Sequence, residues 1–475
     1  MEGDIPSEIV DFFNNSGNIA LLIKGDPGTG KTIFSLQYIA SQAEEGHGIY
    51  FSTRVDTGSL YNQFPWIRKN IPPENIVDAT QSVVPRRMDV PQLIRFSSLP
   101  EFLKSLYTVV EERKLSGPPL LVVDSIDAVA SSVGLPIEDV CAKIVDTMRN
   151  IQVKTLIITE RVEKSPLDYI CDGVITFKRK YIDGRLFREL LIEKLRGVEI
   201  RHPIYYFTLH EGKFTYLKEF YPLKREKDVQ EPHPVIKDGE GTEFYEKGMF
   251  STGSRQLDNL LGGIKRGSFM LIEVLEEVSA DFAIDTTAPV LENFMIQGRG
   301  VIVIPYKCTS PQYFINIYSS LVGSEIVRKH CKIVIPSKRQ QADNIPWLVT
   351  TSYSIDDFLD TVNKLIDDSK KELDKNVLLF ISFDKLEADF GSKDAEKIVM
   401  EFISRIKFEG DICIGVTFPS TKIGPKLKEM ADYLFKFFCK REVAFIYGVH
   451  PSTKIFNVNV DFSKSHPTLY LTPIT

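Results

Sequence analysis

The stretch GDPGTGKT, from Gly25 to Thr32, constrains this chain more than any other. It follows the strand-like run IALLI, precedes the helix-like run IFSLQYIA, and fits the pattern G-x-x-x-x-G-K-[ST] at every position. Its glycines let the backbone turn N–H groups inward, around a phosphate at the positive end of the following helix. A glycine-rich turn that only joins a strand to a helix does not require Lys31 and Thr32 after its last glycine. The pattern therefore predicts a nucleotide phosphate site.

The residues of this loop have distinct expected roles. Lys31 is expected to reach the β- and γ-phosphates of ATP, and the Thr32 hydroxyl is expected to bind Mg²⁺. ATP and Mg²⁺ are thus the predicted cofactors. The predicted nucleotide-binding residues are Gly25, Asp26, Pro27, Gly28, Thr29, Gly30, Lys31, Thr32 and Ile33.

The composition bounds the class of protein. A chain of 475 residues indicates two or three domains, and 43% hydrophobic with 26% charged residues is typical of a soluble globular protein. No apolar run approaches the roughly 20 residues of a membrane helix, and the acidic N-terminus lacks the layout of a signal peptide. We therefore expect a cytoplasmic protein without a membrane partner. Scattered cysteines without a C-x-x-C pair indicate reduced thiols and no metal other than Mg²⁺ (Cys141, Cys171, Cys308, Cys331, Cys413, Cys439).

Strand and helix patterns alternate through the first half of the chain. Strands are predicted at 19–23, 48–53, 118–125 and 154–160, and helices after the glycine-rich loop and at 57–71, 99–113 and 137–150. Three further strands at 172–180, 189–197 and 205–214 are expected to be antiparallel or at a sheet edge. Such alternation indicates an α/β fold with a mainly parallel sheet.

The pattern breaks between the two halves. Residues 217–247 are charged, rich in proline and glycine, and lack periodic hydrophobicity, which predicts a linker. The predicted domains are therefore 1–216 and 248–475. The second opens with FSTGSRQLDNLLGGIKRGSFMLIEV, alternates strands and helices again, and ends in strands near YLFKFF, VAFIYGV and IFNVNV.

The two halves can be laid over each other as an internal repeat. LLIKGDPGTGKTIF against LIEVLEEVSADF pairs Lys31 with Ala280 and Thr32 with Asp281, and PLLVVDSID against VLLFISFDK pairs Asp124 with Ser382. The same pairing sets Gly25 against Val274 and Gly30 against Ser279, so the loop glycines are also missing from the second copy. The acidic side chains of Glu276, Glu277 and Asp281 would in addition repel a triphosphate. We predict that the second domain has the same fold and does not bind ATP in the usual way.

Several motifs together resemble a known family. FSTGSRQLDNLLGGIKRGS resembles the opening signature of KaiC-like proteins of the RecA superfamily, LLVVD ending at Asp124 resembles a Walker B strand, and KLRG at Lys194 to Gly197 resembles their K-[ML]-R-G strand. The resemblance covers nearly the whole chain and implies two tandem RecA/KaiC-like domains. The order of one competent copy and one degraded copy, with the segment STRVD-x-x-x-LY-x-x-FPW, is also similar to archaeal GvpD-type P-loop regulators.

The resemblance implies a Mg²⁺ site and leaves hydrolysis open. Thr32 and Asp124 would order Mg²⁺, although Asp124 could instead cap its strand, and Asp127 is expected to be a surface helix cap. KaiC-like proteins carry two glutamates where this chain has Arg54 and Val55. Arginine cannot act as a general base, but it could bind γ-phosphate or a partner carboxylate. Asp56 or Glu160 could supply the missing carboxylate, so we predict ATP binding with slow hydrolysis, the activity of a weak ATPase.

Two cations are candidates for action on a neighbouring subunit. Lys194 and Arg196 alternate along a strand and so point to one face. In similar proteins this pair faces nucleotide in the next subunit, while a solvated strand face is the alternative. A role in trans requires a homo-oligomer. The family has a histidine a short distance after this motif in the sequence, whereas His202 lies farther from KLRG, so the resemblance does not assign it a role.

Charge and pattern leave more than one function open. The net charge of −6 gives no global basic footprint for nucleic acid. The short basic clusters have acidic neighbours and favour solvated faces; Arg86 and Arg87 are the best candidates if DNA is bound. We expect an ATP-dependent regulatory or signalling protein with a protein partner. The alternatives are a DNA-acting ATPase of the RadA-paralogue kind and a scaffold in which ATP only stabilises the fold.

Overall fold

The computed structural model consists of two compact units. The first is Met1–Leu217 with Ile474–Thr475, and the second is Lys218–Pro473. The structure describes residues 5–15, 17, 19–42, 48–80, 93–113, 120–220, 236–238, 248–275, 278, 280–307, 309–337, 345–461 and 468–475. Of the predicted linker, only 217–220 and 236–238 are among the described residues.

The first unit is built on one mixed sheet. Its strands are β1 (Ala20–Gly25), β2 (Gly48–Ser52), β3 (Ile76–Asp78), β4 (Leu120–Asp124), β5 (Lys154–Thr159), β6 (Gly173–Ile182), β7 (Arg185–Leu195), β8 (Ile204–Thr208) and β9 (Thr215–Tyr216). Within the described residues they form nine strands in the order β3-β2-β4-β5-β1-β6-β7-β8-β9. The pairs from β3 to β6 are parallel, and those from β6 to β9 are antiparallel. Strand β1 is buried at every position, which explains its continuous apolar run.

Helices cover both faces of this sheet. They are α1 (Ser7–Asn14), α2 (Lys31–Gln42), α3 (Thr57–Gln63), α4 (Ile67–Asn70), α5 (Leu99–Arg113), α6 (Ile126–Val133), α7 (Ile137–Asn150) and α8 (Leu167–Ile170). In α7 the buried side chains recur every three or four residues, as an amphipathic helix requires (Ile137, Val140, Cys141, Ile144, Val145, Met148). The predictions of α5 and α7 are confirmed.

One predicted helix is interrupted. The segment 57–71 forms the two short helices α3 and α4, because Pro65 between them has no N–H to continue the hydrogen-bond ladder. Its aromatic side chains Tyr61, Phe64 and Trp66 are partly buried and pack against the core of the first unit.

The second unit repeats the design. Its strands are β10 (Met249–Phe250), β11 (Ile264–Lys265), β12 (Ser268–Val274), β13 (Gly300–Ile304), β14 (Cys331–Pro336), β15 (Leu348–Thr351), β16 (Val377–Ser382), β17 (Ile412–Thr417), β18 (Tyr433–Lys440), β19 (Val443–His450), β20 (Phe456–Asp461) and β21 (Thr468–Pro473). Its helices are α9 (Arg255–Leu261), α10 (Ala280–Ile296), α11 (Pro311–Val322), α12 (Ser324–His330), α13 (Ile355–Leu373), α14 (Phe383–Phe390), α15 (Ser392–Glu409) and α16 (Gly424–Met430). None of the helices in the described ranges is long and apolar enough to cross a membrane.

The strand orders of the two units match. In the described residues the large sheet of the second unit runs β15-β14-β13-β16-β17-β12-β18-β19-β20-β21, and its pairs are parallel as far as β18 and antiparallel beyond it. Strand β12 thus takes the place of β1, and β16 the place of β4. The predicted α/β fold with two tandem RecA-like domains is confirmed. Strand β15, at the far edge, has no counterpart in the first unit, whereas β21 corresponds to β9; the sequence patterns revealed neither β15 nor β21.

An ion pair on the central strand occurs in both copies with opposite sign. In the first unit Lys24 of β1 is 1% exposed, and its ammonium lies 3.2 Å from Asp168 of α8 and 3.7 Å from Glu193. In the second unit the repeat places Glu273 at this position, where it pairs with Lys428 of α16. Helix α8 follows β5, and α16 follows β17, which holds the same place beside the central strand as β5 does. The ion pair therefore joins equivalent elements in the two units. Either arrangement of the charges gives the charged residue of the central strand a partner of opposite sign.

This pair yields a test of what stabilises the first unit. Asp168→Asn should lower the free energy of unfolding of that unit by about 3 kcal/mol, because Lys24 would keep a buried charge with one of its two carboxylates removed. Urea unfolding followed by Trp66 fluorescence in a Trp347→Phe background measures this, since the chain has two tryptophans.

Glu163→Gln is the matched control for this change. Glu163 is exposed and lies in the loop just before α8, so its replacement should change stability by less than about 0.5 kcal/mol. An effect of Asp168→Asn no larger than that of the control would contradict the role given to the buried pair.

Candidate nucleotide-binding site

The predicted phosphate loop lies at the carboxyl edge of the central strand. Strand β1 ends at Gly25 and α2 begins at Lys31, so the loop joins them at the amino end of a 12-residue helix. Gly25 and Gly30 have φ angles of 154° and 107°. A Cβ atom at Gly25 would lie 2.7 Å from the carbonyl oxygen of Phe177, and one at Gly30 would lie 2.9 Å from Leu209 Cδ1. Both positions thus require glycine.

The Lys31 ammonium is held in the mouth of this loop. Its Nζ donates to the carbonyl oxygen of Gly25 at 2.5 Å and to that of Asp26 at 2.9 Å. Burial lowers the pKa of Lys31, and the carboxylates of Asp124 and Asp127 oppose that shift. A cation that is desolvated and bonded only to neutral carbonyl oxygens is well placed to exchange them for phosphate oxygens.

The outer turn of the loop is supported from the neighbouring hairpin. Arg188 of β7 is 7% exposed and donates to the carbonyl oxygens of Gly28 at 3.1 Å and Thr29 at 3.3 Å. Burial, with Arg179 close by, lowers the pKa of Arg188 to about 10. By holding these carbonyl groups outward, Arg188 helps to keep the N–H groups turned inward. The sequence patterns did not single out this residue.

The Asp124 carboxylate joins three elements beside the loop. Thr32 Oγ1 of α2 donates to Asp124 Oδ2 at 2.6 Å, and the Tyr50 hydroxyl of β2 donates to the same oxygen. Burial, reinforced by the negative charge of Asp124, raises the pKa of Tyr50, which keeps the hydroxyl a donor. Sequence reasoning missed Tyr50, whose importance depends on the lateral pairing of β2 with β4.

These residues fit the ATP and Mg²⁺ that the loop predicts. They line a cavity of about 440 Å³, whose polar side chains include Lys31, Thr32, Tyr50, Ser52, Arg54, Asp124, Ser125 and Glu160. A hydroxyl and a carboxylate supply the hard oxygen ligands that Mg²⁺ prefers, with phosphate oxygens and water completing its shell. The Ser125 hydroxyl is buried without a described hydrogen-bond partner, which leaves a polar atom available to a bound group or water.

Arg54 and Glu160 form an ion pair in this cavity. The Arg54 guanidinium donates to Glu160 Oε1. Their side chains are 48% and 32% exposed. The Glu160 N–H donates to Asp127 Oδ2 at 3.0 Å, so Asp127 fixes the end of β5 and is not the helix cap expected from the sequence. Asp56 caps α3 through Ser59 and does not line the cavity, which makes it a poor candidate for activating water.

Lys194 and Arg196 lie at the opposite edge of the sheet. Lys194 pairs with Val174, at the beginning of β6, and its ammonium donates to the carbonyl oxygens of Asp168 and Cys171 at 2.9 and 2.7 Å. Arg196 lies 2.9 Å from the buried Asp172 and is 63% exposed. Neither residue reaches the loop of its own chain. Their action on a neighbouring subunit stays a prediction.

Two of the basic clusters make local contacts within the described residues. Lys180 pairs with Glu189 at 2.7 Å, and the Arg266 guanidinium lies over the Phe250 ring at 5.0 Å. Arg86 and Arg87 lie outside the described residues, as do Glu276, Glu277 and the side chain of Asp281 in the second copy.

Tyr50→Phe tests the hydrogen bonds to Asp124. Loss of one donor should let the carboxylate leave its metal-ordering orientation and raise the Mg²⁺ concentration needed for half-maximal ATP binding by about tenfold. Titration of Mg²⁺ at fixed ATP measures this. Tyr38→Phe is the control, because Tyr38 is also nearly buried but lies away from the cavity. Equal Mg²⁺ requirements for the two variants would contradict the role of Tyr50.

Comparisons with known proteins agree with this site. Residues 9–193 match the family described as GvpD gas vesicle protein, P-loop domain, and residues 245–475 match the one described as GvpD basic region 2. Protein GvpD2 of Halobacterium salinarum is 27% identical over 485 residues, covering 98% of this chain and 96% of that protein; Protein GvpD1 of the same organism is 24% identical with the same coverage. A UPF0273 protein of Pyrococcus furiosus is 29% identical over 203 residues, covering 38% of this chain and 80% of that protein. The chain therefore belongs to the GvpD-type branch of the KaiC/RecA-like P-loop proteins.

Proposed function

We propose that this protein is a regulator that binds Mg-ATP in its first unit and hydrolyses it slowly. The nucleotide state would control assembly or the binding of a protein partner. Because its family is described as a gas vesicle protein, we propose gas vesicle formation as the regulated process. Lys31 and the loop N–H groups would hold the phosphates, and Thr32 and Asp124 would order Mg²⁺.

The observation that carries this proposal is the presence of Arg54 in the cavity, at the position where KaiC-like proteins carry a glutamate. Rapid hydrolysis needs a carboxylate that is available to orient and activate water. Among the described residues of the cavity, Asp124 accepts from Thr32 and Tyr50, and Glu160 is paired with an arginine. The site thus has the groups that bind a triphosphate, while an arginine replaces the glutamate after β2 and the remaining candidate base, Glu160, lies at the end of a different strand. Such a site favours a long-lived ATP state.

The second unit supports a regulatory role over that of a motor. Its sequence has Ala280 and Asp281 where Lys31 and Thr32 stand in the first, and Ser382 in place of Asp124. Ser382 is buried, and its hydroxyl donates to Asp384 of α14. A copy without phosphate-binding side chains is free to contact a partner. No observation on the described residues favours the DNA-acting alternative.

Lys31→Ala is the direct test of the proposal. Loss of the charged hydrogen bonds to phosphate should weaken ATP binding between about tenfold and a hundredfold. It should also abolish any effect of ATP on particle mass or partner capture. Wild-type turnover should lie well below the roughly 10 per second typical of enzymes. Isothermal titration calorimetry, light scattering and phosphate release measure these quantities, with Lys143→Ala, at an exposed position of α7, as the control.

Three outcomes would contradict the proposal. Rapid turnover by the isolated protein would indicate a motor or metabolic enzyme. Strong stimulation of ATP hydrolysis by DNA would favour the recombination-type alternative. Unchanged assembly and partner binding in Lys31→Ala would leave ATP with a purely structural role.

A further inference from the structure

The Arg54–Glu160 ion pair crosses over the Mg²⁺-ordering residue. Arg54 follows β2 and Glu160 follows β5, while β4, which ends at Asp124, lies between those two strands. Both side chains line the cavity that contains Lys31 and Thr32. The pair therefore bridges the chain that follows β2 and the chain that follows β5, past the end of β4.

The backbones that carry this pair are fixed. Thr53, next to Arg54, donates from its N–H to the Asp124 carbonyl oxygen at 2.8 Å, and its hydroxyl bonds with the backbone of Ser125. On the other side, the Glu160 N–H is held by Asp127. Any change of partner must therefore come from rotation of the two side chains. Both are partly exposed and can rotate without disturbing the core.

A terminal phosphate would compete directly with Glu160 for Arg54. A guanidinium binds phosphate through two parallel N–H bonds, and a γ-phosphate carries more negative charge than one carboxylate. A partly exposed ion pair is weak, so it presents a small barrier to exchange. ADP has no third phosphate with which to compete. The positive charge of Arg54 already contributes to lowering the pKa of Lys31, which places both cations in one electrostatic site.

We propose that Arg54 is the residue by which this site distinguishes ATP from ADP. Without a γ-phosphate, Arg54 remains paired with Glu160; with one, Arg54 turns to the phosphate and Glu160 is released. The inference rests on the proposed function, because it assumes that this cavity holds Mg-ATP. It adds the side-chain exchange by which the bound nucleotide changes the surface between β2 and β5.

The proposal can be tested by calorimetric titration of Mg-adenylyl-imidodiphosphate and Mg-ADP into the full chain. Wild type should bind the triphosphate analogue more tightly. Arg54→Met should weaken its binding by about tenfold and change ADP binding by less than about twofold, because only the triphosphate loses charged hydrogen bonds. Arg54→Lys should recover part of the loss, since it keeps the charge without the fork.

Glu160→Gln gives an independent prediction of the opposite sign. Removal of the competing carboxylate should tighten the triphosphate analogue by about twofold to threefold and leave ADP unchanged. Arg161→Met is the control, because Arg161 is a neighbouring exposed arginine whose ion pair, with Glu138 at 3.0 Å, lies outside the cavity. It should change neither affinity. Thermal unfolding without nucleotide should be nearly the same for all four variants.

The outcomes separate this inference from the proposed function. Equal loss of triphosphate and diphosphate binding in Arg54→Met, or no loss of either, would overturn the inference while leaving ATP binding intact. Equal affinities of wild type for both nucleotides would also overturn it. Failure of wild type to bind either nucleotide would overturn the proposed function with it.

Discussion

The carboxylate of Asp124 is the point on which the site depends. One of its oxygens accepts hydrogen bonds from the hydroxyl groups of Thr32, at the beginning of α2, and Tyr50, in β2. The end of one strand, a helix and a second strand therefore converge on one charged group. The strand order sets this meeting, because β4 lies between β2 and β5 and the phosphate loop follows the next strand, β1. Displacement of any of these strands would separate the oxygens that we propose as Mg²⁺ ligands from the Lys31 ammonium that we propose to bind phosphate.

Comparison of the two copies distinguishes the residues that the fold needs from those proposed to bind phosphate. Both copies have an aspartate just before the strand that pairs with the central strand on the side where the antiparallel strands lie, β6 beside β1 and β18 beside β12. Asp172 accepts hydrogen bonds from the N–H groups of Ile19 and Ala20, and Asp432 accepts one from the N–H group of Phe269. Both keep an ion pair at the equivalent residues Lys24 and Glu273, with reversed sign. These contacts give partners to charged side chains and to the backbone N–H groups at the beginning of the central strand. Each copy needs such partners in order to fold. The side chains proposed to bind phosphate and Mg²⁺ are not needed for this fold, because the second copy folds in the same way without them.

Features that depend on neighbouring residues in the chain could be predicted from the sequence. Features that depend on which strands lie side by side in the sheet could not. The phosphate loop is specified by residue types at fixed spacing, and α5 and α7 by the period of their apolar residues. Tyr50 could not be recognised, since a tyrosine in a buried strand is ordinary until β2 is placed beside β4. The pairing of Arg54 with Glu160, 106 residues apart, likewise depends on strand order. Arg54 stood out only as a departure from the KaiC-like pattern, and its partner became evident only from the assembled sheet.

The central claim is that this two-copy protein has a single nucleotide site, in its first unit. The most direct test is the stoichiometry of Mg-ATP binding to the full chain, measured by equilibrium dialysis with labelled nucleotide at saturating concentration. Wild type should bind about one ATP per chain, as expected of one intact P-loop, and Lys31→Ala should lose that site. Two ATP molecules per chain, or one that persists in Lys31→Ala, would contradict the central claim.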